Sequence, residues 1–136
     1  MKLLMIYADR FAYVPAHKSL SEMPAVSGGD EIEAALVGLV HAEVGDEADP
    51  GRIETKLIKN LKWAARKNDT CLIVLHSFSH LAESKADTTF TRDLLCRAER
   101  RLSDAGYEVR QTPFGYFLDL DLRAPGRPAA RIFASF

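Results

Sequence analysis

A chain of 136 residues, 47% hydrophobic and 27% charged, is long enough for one domain that buries roughly two-thirds of its unfolded surface. A net charge of −1 argues against a protein that coats nucleic acid by bulk electrostatics, although local basic patches stay open. No apolar run reaches the ~18 residues of a membrane span. The start, MKLLMIYADR, becomes charged too soon for a signal peptide, so a cytoplasmic protein is expected.

In chain order, residues 2–8 (KLLMIYA) predict a buried first strand, and 9–31 read as irregular, with Pro15, Pro24 and an SGGD turn at 27–30. Residues 33–44 are ambiguous by periodicity, and their valines and Gly38 favour a long strand. Asp49 and Pro50 have the chemistry of a helix start, and Ile53, Leu57, Leu61 and Ala64 then recur on one face as far as about Asn68. CLIVLH, 71–76, reads as a central strand. Asp87 caps a second helix with the stripe Phe90, Leu94, Leu95, Ala98 and Leu102, and Gly106 ends it. Strands follow at 107–111 and 115–122, then the turn APGRP and a last strand, ARIFASF. The fold class expected is a single-domain α/β (α+β-like) mixed sheet with two helices packed on it, with room for an extra early strand.

Cys71 and Cys96 lie in apolar stretches and are expected to be small buried hydrophobes. Lys56, Lys59, Lys62, Arg66 and Lys67 form one basic cluster and Arg97, Arg100 and Arg101 another, both on amphipathic helices whose outer faces would carry them. The SFSH segment, Ser77 to His80, follows the central strand, where α/β sheets place ligands, and His80 is a candidate general base or ligand clamp. His76 is a candidate core histidine. His17, His41, His76 and His80 share no metal-ligand spacing, and neither a nucleophile elbow, a P-loop nor a dinucleotide fingerprint is present. Asp119 and Asp121, alternating with leucines, read as the wet face of a strand. No metal and no cofactor is expected. Composition and spacing alone name no reaction.

SFSHL at 77–81 after an apolar strand, the helix opening near 88, G-Y-E-V and then T-P-F-G-Y-F together resemble one family, the N-terminal editing domain of archaeal-type threonyl-tRNA synthetases. That family is related in fold to the D-aminoacyl-tRNA deacylases. Asp9, F-A-Y and K-S-L near the start fit it too, so the resemblance spans essentially residues 1–136. It implies hydrolysis of the ester joining a wrong amino acid, typically serine, to the terminal adenosine of a threonine tRNA. It places the adenosine by Pro113, Phe114, Gly115 and Tyr116, the aminoacyl group against the backbone of Ser77, Phe78 and Ser79, and the family's histidine at His80. Backbone N–H donors, a positioned water and the terminal ribose 2′-hydroxyl would share the chemistry.

Departures accompany the matches. After P-F-G-Y the archaeal domains carry Tyr then Lys, where this chain has Phe117 then Leu118. Their last strand carries a Glu where an ungapped reading gives Arg131, a residue able to bring back a positive charge from the neighbouring strand. Two functions therefore stand. One is a deacylase of mischarged tRNA; the other is a catalytically degenerate module that binds tRNA 3′ ends, nucleotides or a synthetase partner. With no synthetase catalytic or anticodon-binding segment before Phe136, a free-standing protein acting in trans is expected. Its partner would be an aminoacylated tRNA 3′ end rather than a membrane, and the family suggests a homodimer.

Overall fold

The computed structural model describes all 136 residues, Met1 to Phe136. The first strand, β1, runs from Lys2 to Lys18, ten residues beyond the predicted end, and so absorbs the extra early strand. Asp9, Arg10 and Pro15 hid this continuation, because charge and proline both read as loop. Pairing on both sides explains it: residues 10–13 face β2 while 10–18 face β5 (Tyr116–Arg123). Arg10 donates to Glu31 at 2.6 Å and to Asp121 at 2.7 Å, tying the three strands together, and Pro15 sits where the register shifts, a bulge that needs no amide there.

Strand β2 (Asp30–His41) is antiparallel to β1 and buried continuously from Ala35, as a strand covered on both faces should be. A short 3-10 turn, Val44–Ala48, leads into helix α1 (Pro50–Lys67). The Asp49 side chain accepts from the Arg52 N–H, Pro50 sits in the first turn, and Ile53, Leu57, Ile58, Leu61, Ala64 and Ala65 are buried. Strand β3 (Leu72–Ser77) follows, then α2 (Thr88–Asp104), whose Asp87 cap accepts from Thr89 and Phe90 N–H groups. Gly106, at φ +96°, closes α2 as expected. Strands β4 (Glu108–Gln111), β5 and β6 (Arg131–Ser135) complete the chain.

The strand order is β4-β3-β2-β1-β5, with β6 also paired to β1. β6 takes residues 2–6 of β1 and β5 takes residues 10–18, so the long first strand is the hinge of a curled sheet. β3 lies parallel to β2 and to β4, and the two helices are the crossovers that such pairs require. The helices cover one face and bury the larger core, which includes Leu3, Met5, Leu36, Ile73 and Leu75. On the other face a second cluster, Phe11, Ile32, Val37, Leu39 and Val74, is closed by the curl and by Leu122 of β5.

The Met1 ammonium binds Glu43 and Asp46, each at 2.9 Å, and the Phe136 carbonyl at 2.8 Å, which pins both ends of the chain to the same corner. The ammonium's hydrogen bond holds the Glu43 carboxyl below its usual pKa. Both cysteines, expected to be buried, are exposed. Cys71 precedes β3, and Cys96 stands on the outer side of α2 beside the buried Leu95, so their apolar neighbours in sequence are not their neighbours in space. Asp119 and Asp121 are exposed, as the alternation required. No helix is long and apolar enough to cross a membrane.

Candidate functional site

The carboxyl end of β3 and the turn before β5 face each other across an open cleft of about 320 Å³. Nine of the eleven candidate residues line it: Ser77, Phe78, Ser79 and His80 from the β3 side, and Phe114, Gly115, Tyr116, Phe117 and Leu118 from the other. Pro113 and Arg131 are not among its walls. Arg131 pairs with Ile6 on the far half of β1 and donates to the Pro125 carbonyl at 3.0 Å, so a compensating charge from the last strand is not in place.

The turn is built by Gly115. Its φ of +83° suits glycine, and its carbonyl accepts from the Ser19 and Leu20 N–H groups at 2.8 and 3.2 Å. A Cβ there would stand 2.7 Å from Met23 Cγ and 3.2 Å from Leu20 Cβ. The Tyr116 hydroxyl donates to the Pro24 carbonyl at 2.7 Å and accepts from the Val26 N–H at 2.9 Å. Its oxygen is thus committed to the 19–26 segment and leaves only the ring to the cleft.

On the opposite wall, His76 is buried and its Nδ1 lies 2.8 Å from the Thr112 hydroxyl. Burial, helped by the nearby His80, pushes its pKa down to about 4, so the ring is neutral at pH 7. From it a chain of rings crosses the cleft. Phe78 lies 5.7 Å from His76 and 4.8 Å edge-on from His80; His80 lies 6.4 Å from Phe117; Phe117 in turn stacks on His17 at 6.2 Å. Flat rings of this kind offer a base a stacking surface. Among the loop amides, Phe78 N–H donates to Val40 and His80 N–H to Phe78, while the Ser79 N–H meets no protein acceptor.

Three features were missed in the sequence. His41 is fully buried; its Nε2–H donates to the Ser84 carbonyl at 2.7 Å and its Nδ1 accepts from the Leu81 and Ala82 N–H groups at 2.9 and 3.2 Å. It therefore fastens the 81–84 loop to the end of β2. Lys85, just beyond that staple, lines the cleft beside Thr88 and forms no ion pair. Ser19, Leu20 and Leu120 complete the walls. Local sequence gave none of them a place in the cleft: Lys85 and Leu20 come in on loops, while His41 ends β2 and Leu120 lies within β5, and the path of the sheet decides where each falls. No carboxylate lines the cleft, and no three His, Cys, Asp or Glu side chains gather as a metal site requires.

A single-domain curled mixed sheet with two helices on one face, and a cleft where β3 meets the β5 turn, is the fold the resemblance implied, of the D-aminoacyl-tRNA deacylase-like class. The chain belongs to the archaea-specific editing domain family of threonyl-tRNA synthetase, matched over residues 1–136. It is 27% identical over 135 residues to a threonine–tRNA ligase of Thermococcus gammatolerans, covering 97% of this chain and 22% of that protein. It is 29% identical over 134 residues to that of Methanopyrus kandleri, covering 97% and 21%. The chain thus spans about a fifth of the length of these relatives. Among solved structures it resembles the c-Myc DNA Unwinding Element Binding Protein, at TM-score 0.69 and 11% identity over 100% of this chain and 99% of the other, a likeness of fold alone.

Proposed function

We propose that this domain hydrolyses the ester of a mischarged tRNA, seryl-tRNA(Thr). The observation that carries the reading is the convergence of His80, the unpaired Lys85 and the Phe114–Phe117 turn on one cleft, in a chain of the editing-domain family. The terminal adenosine lies by the Phe114–Phe117 turn, and the aminoacyl group lies along Ser77 to Ser79 on the opposite wall. Water attacks the carbonyl carbon, and the free Ser79 N–H donates to the developing oxyanion. The bond to O3′ then breaks, the proton lost by the water ends on O3′, and serine leaves. With no carboxylate in the walls, His80 and the ribose 2′-hydroxyl are the groups that hold and relay the proton. Lys85 supplies from the loop the ammonium that Leu118 no longer provides from β5. Serine lacks one methyl of threonine, and excluding that methyl is worth about 1–3 kcal/mol of selectivity.

The second reading, a binding module without chemistry, draws its support from Phe117 and Leu118 lining the cleft in place of a phenol and an ammonium. Deacylation of seryl-, threonyl- and D-aminoacyl-tRNA separates the two. Selective release of serine is expected, lowered about 100-fold in His80→Ala and about tenfold in Lys85→Met. Binding of a tRNA 3′ end without release from any of the three substrates would establish the module instead.

A further inference from the structure

The outer face of α1 carries Lys56, Lys59, Lys62, Arg66 and Lys67, and none of the five is within ion-pair distance of a carboxylate. The only acid on this helix, Glu54, is turned toward α2, where it holds Arg97 at 3.2 Å and Arg101 at 3.3 Å. By contrast, Arg52 in the first turn of α1 is paired with Asp49, and Arg10 and Arg110 on the sheet are each paired as well. In the middle of the free cations stands Trp63, the only tryptophan of the chain, 44% exposed, with the Lys67 ammonium 5.8 Å from its ring centroid. Helical spacing puts Lys59 four residues before Trp63 and Arg66 three after it, so the ring and the charges share one stripe. From Lys56 to Lys67 the stripe is about 16 Å long at the helical rise of 1.5 Å per residue.

A large exposed ring set among unpaired cations, on a chain whose net charge is −1, is a local feature that the whole-chain balance does not predict. The topology also orients it. α1 leads into β3 through a tight turn and so runs antiparallel to it, which puts its amino end at the cleft end of the sheet. There Glu47, just before α1, accepts from the Asp87 N–H at 2.6 Å. The stripe then leads away from the cleft along the outside of the helix layer. Its other face is spent, because Ile53, Leu57, Leu61 and Ala64 are fully buried in the core. No apolar face remains to enter a lipid surface, whereas cations plus one aromatic ring suit a sugar–phosphate backbone.

We propose that the Lys56–Lys67 face of α1 is a second RNA contact, which holds the backbone of the tRNA whose 3′ end lies in the cleft. This rests on the tRNA reading of the cleft, and the test keeps the two apart. Uncharged tRNA is titrated at several salt concentrations onto the whole chain and onto a Lys59→Gln/Arg66→Gln/Lys67→Gln variant, following Trp63 emission and the anisotropy of labelled tRNA. Hydrolysis of an aminoacylated fragment too short to reach α1 is measured alongside. The expected result is a saturable change in Trp63 emission and, in the variant, binding at least tenfold weaker at low salt. The slope of log affinity against log salt should fall by about two, with fragment hydrolysis unchanged. The proposal is overturned by an unchanged slope, by tRNA binding that leaves Trp63 emission untouched, or by an emission shift given by anionic phosphatidylserine vesicles and not by tRNA. Absence of tRNA binding altogether overturns it too. Loss of slope without fragment hydrolysis would retain the RNA surface and refute the hydrolase.

Discussion

Replacing His41 by alanine removes one side chain and three hydrogen bonds: from Nε2 to the Ser84 carbonyl, and into Nδ1 from the Leu81 and Ala82 amides. Each is worth about 1 kcal/mol net where the freed group can reach water, and the half-buried Leu81 and Ala82 allow that. Loss of the fully buried ring adds about 1–2 kcal/mol of packing. The total, about 4–5 kcal/mol, is a large share of the 5–15 kcal/mol that holds a typical domain folded. Urea unfolding measures the sum, and amide hydrogen exchange locates it. Under native conditions the Leu81 and Ala82 amides should exchange at least tenfold faster, with cleft activity falling because His80 and Lys85 flank the released segment. His41→Gln, which keeps a donor and an acceptor, should recover part of both. A loss below about 0.5 kcal/mol would refute the staple. So would global destabilisation with no preferential exchange at 81 and 82, which would make His41 a packing residue only.

Because His76 is held neutral, with a folded pKa of about 4 against 6.5 for the unfolded chain, the unfolded state takes up the proton first as the solution is acidified. Its contribution is therefore complete above about pH 7 and is lost as pH falls from 6.5 toward 4. Between pH 7.5 and 4.5 the wild type should lose about 2–3 kcal/mol more than His76→Gln in paired urea titrations, and parallel curves would contradict the burial argument. Gly115→Ala forces a side chain into positive φ and against Met23 Cγ, so it should cost about 2–3 kcal/mol in thermal unfolding and most of the cleft activity. An unchanged Tm would show that the turn relaxes freely. Asp87→Ala removes the cap that accepts from Thr89 and Phe90 and should cost about 1 kcal/mol, whereas Asp87→Asn should cost only a few tenths.

Helix boundaries were legible because their causes are local. Asp49 with Pro50, Asp87, and Gly106 at φ +96° each act on amides or dihedrals within a few residues, and α1 begins, and α2 begins and ends, beside them. The same holds for the two motifs of the cleft. Ser77 to His80 must follow a buried strand, and Phe114 to Tyr116 must turn around a glycine, wherever the sheet then carries them. Residues 9–18 were illegible for the opposite reason. A strand containing Asp9, Arg10 and Pro15 is stable only because two partners pair with it and an ion-pair network crosses it.

By itself, then, the sequence determined the elements with local signals and the two segments that carry the family resemblance. Only the tertiary structure decided that the segments face each other, that Arg131 lies outside the cleft while Lys85 lies within it, that His41 anchors the loop, and that both cysteines face water. Caps and turns are governed by neighbours along the chain, whereas a cleft is governed by residues that the curl of β1 brings together from far apart, and that closure is a property of the whole sheet.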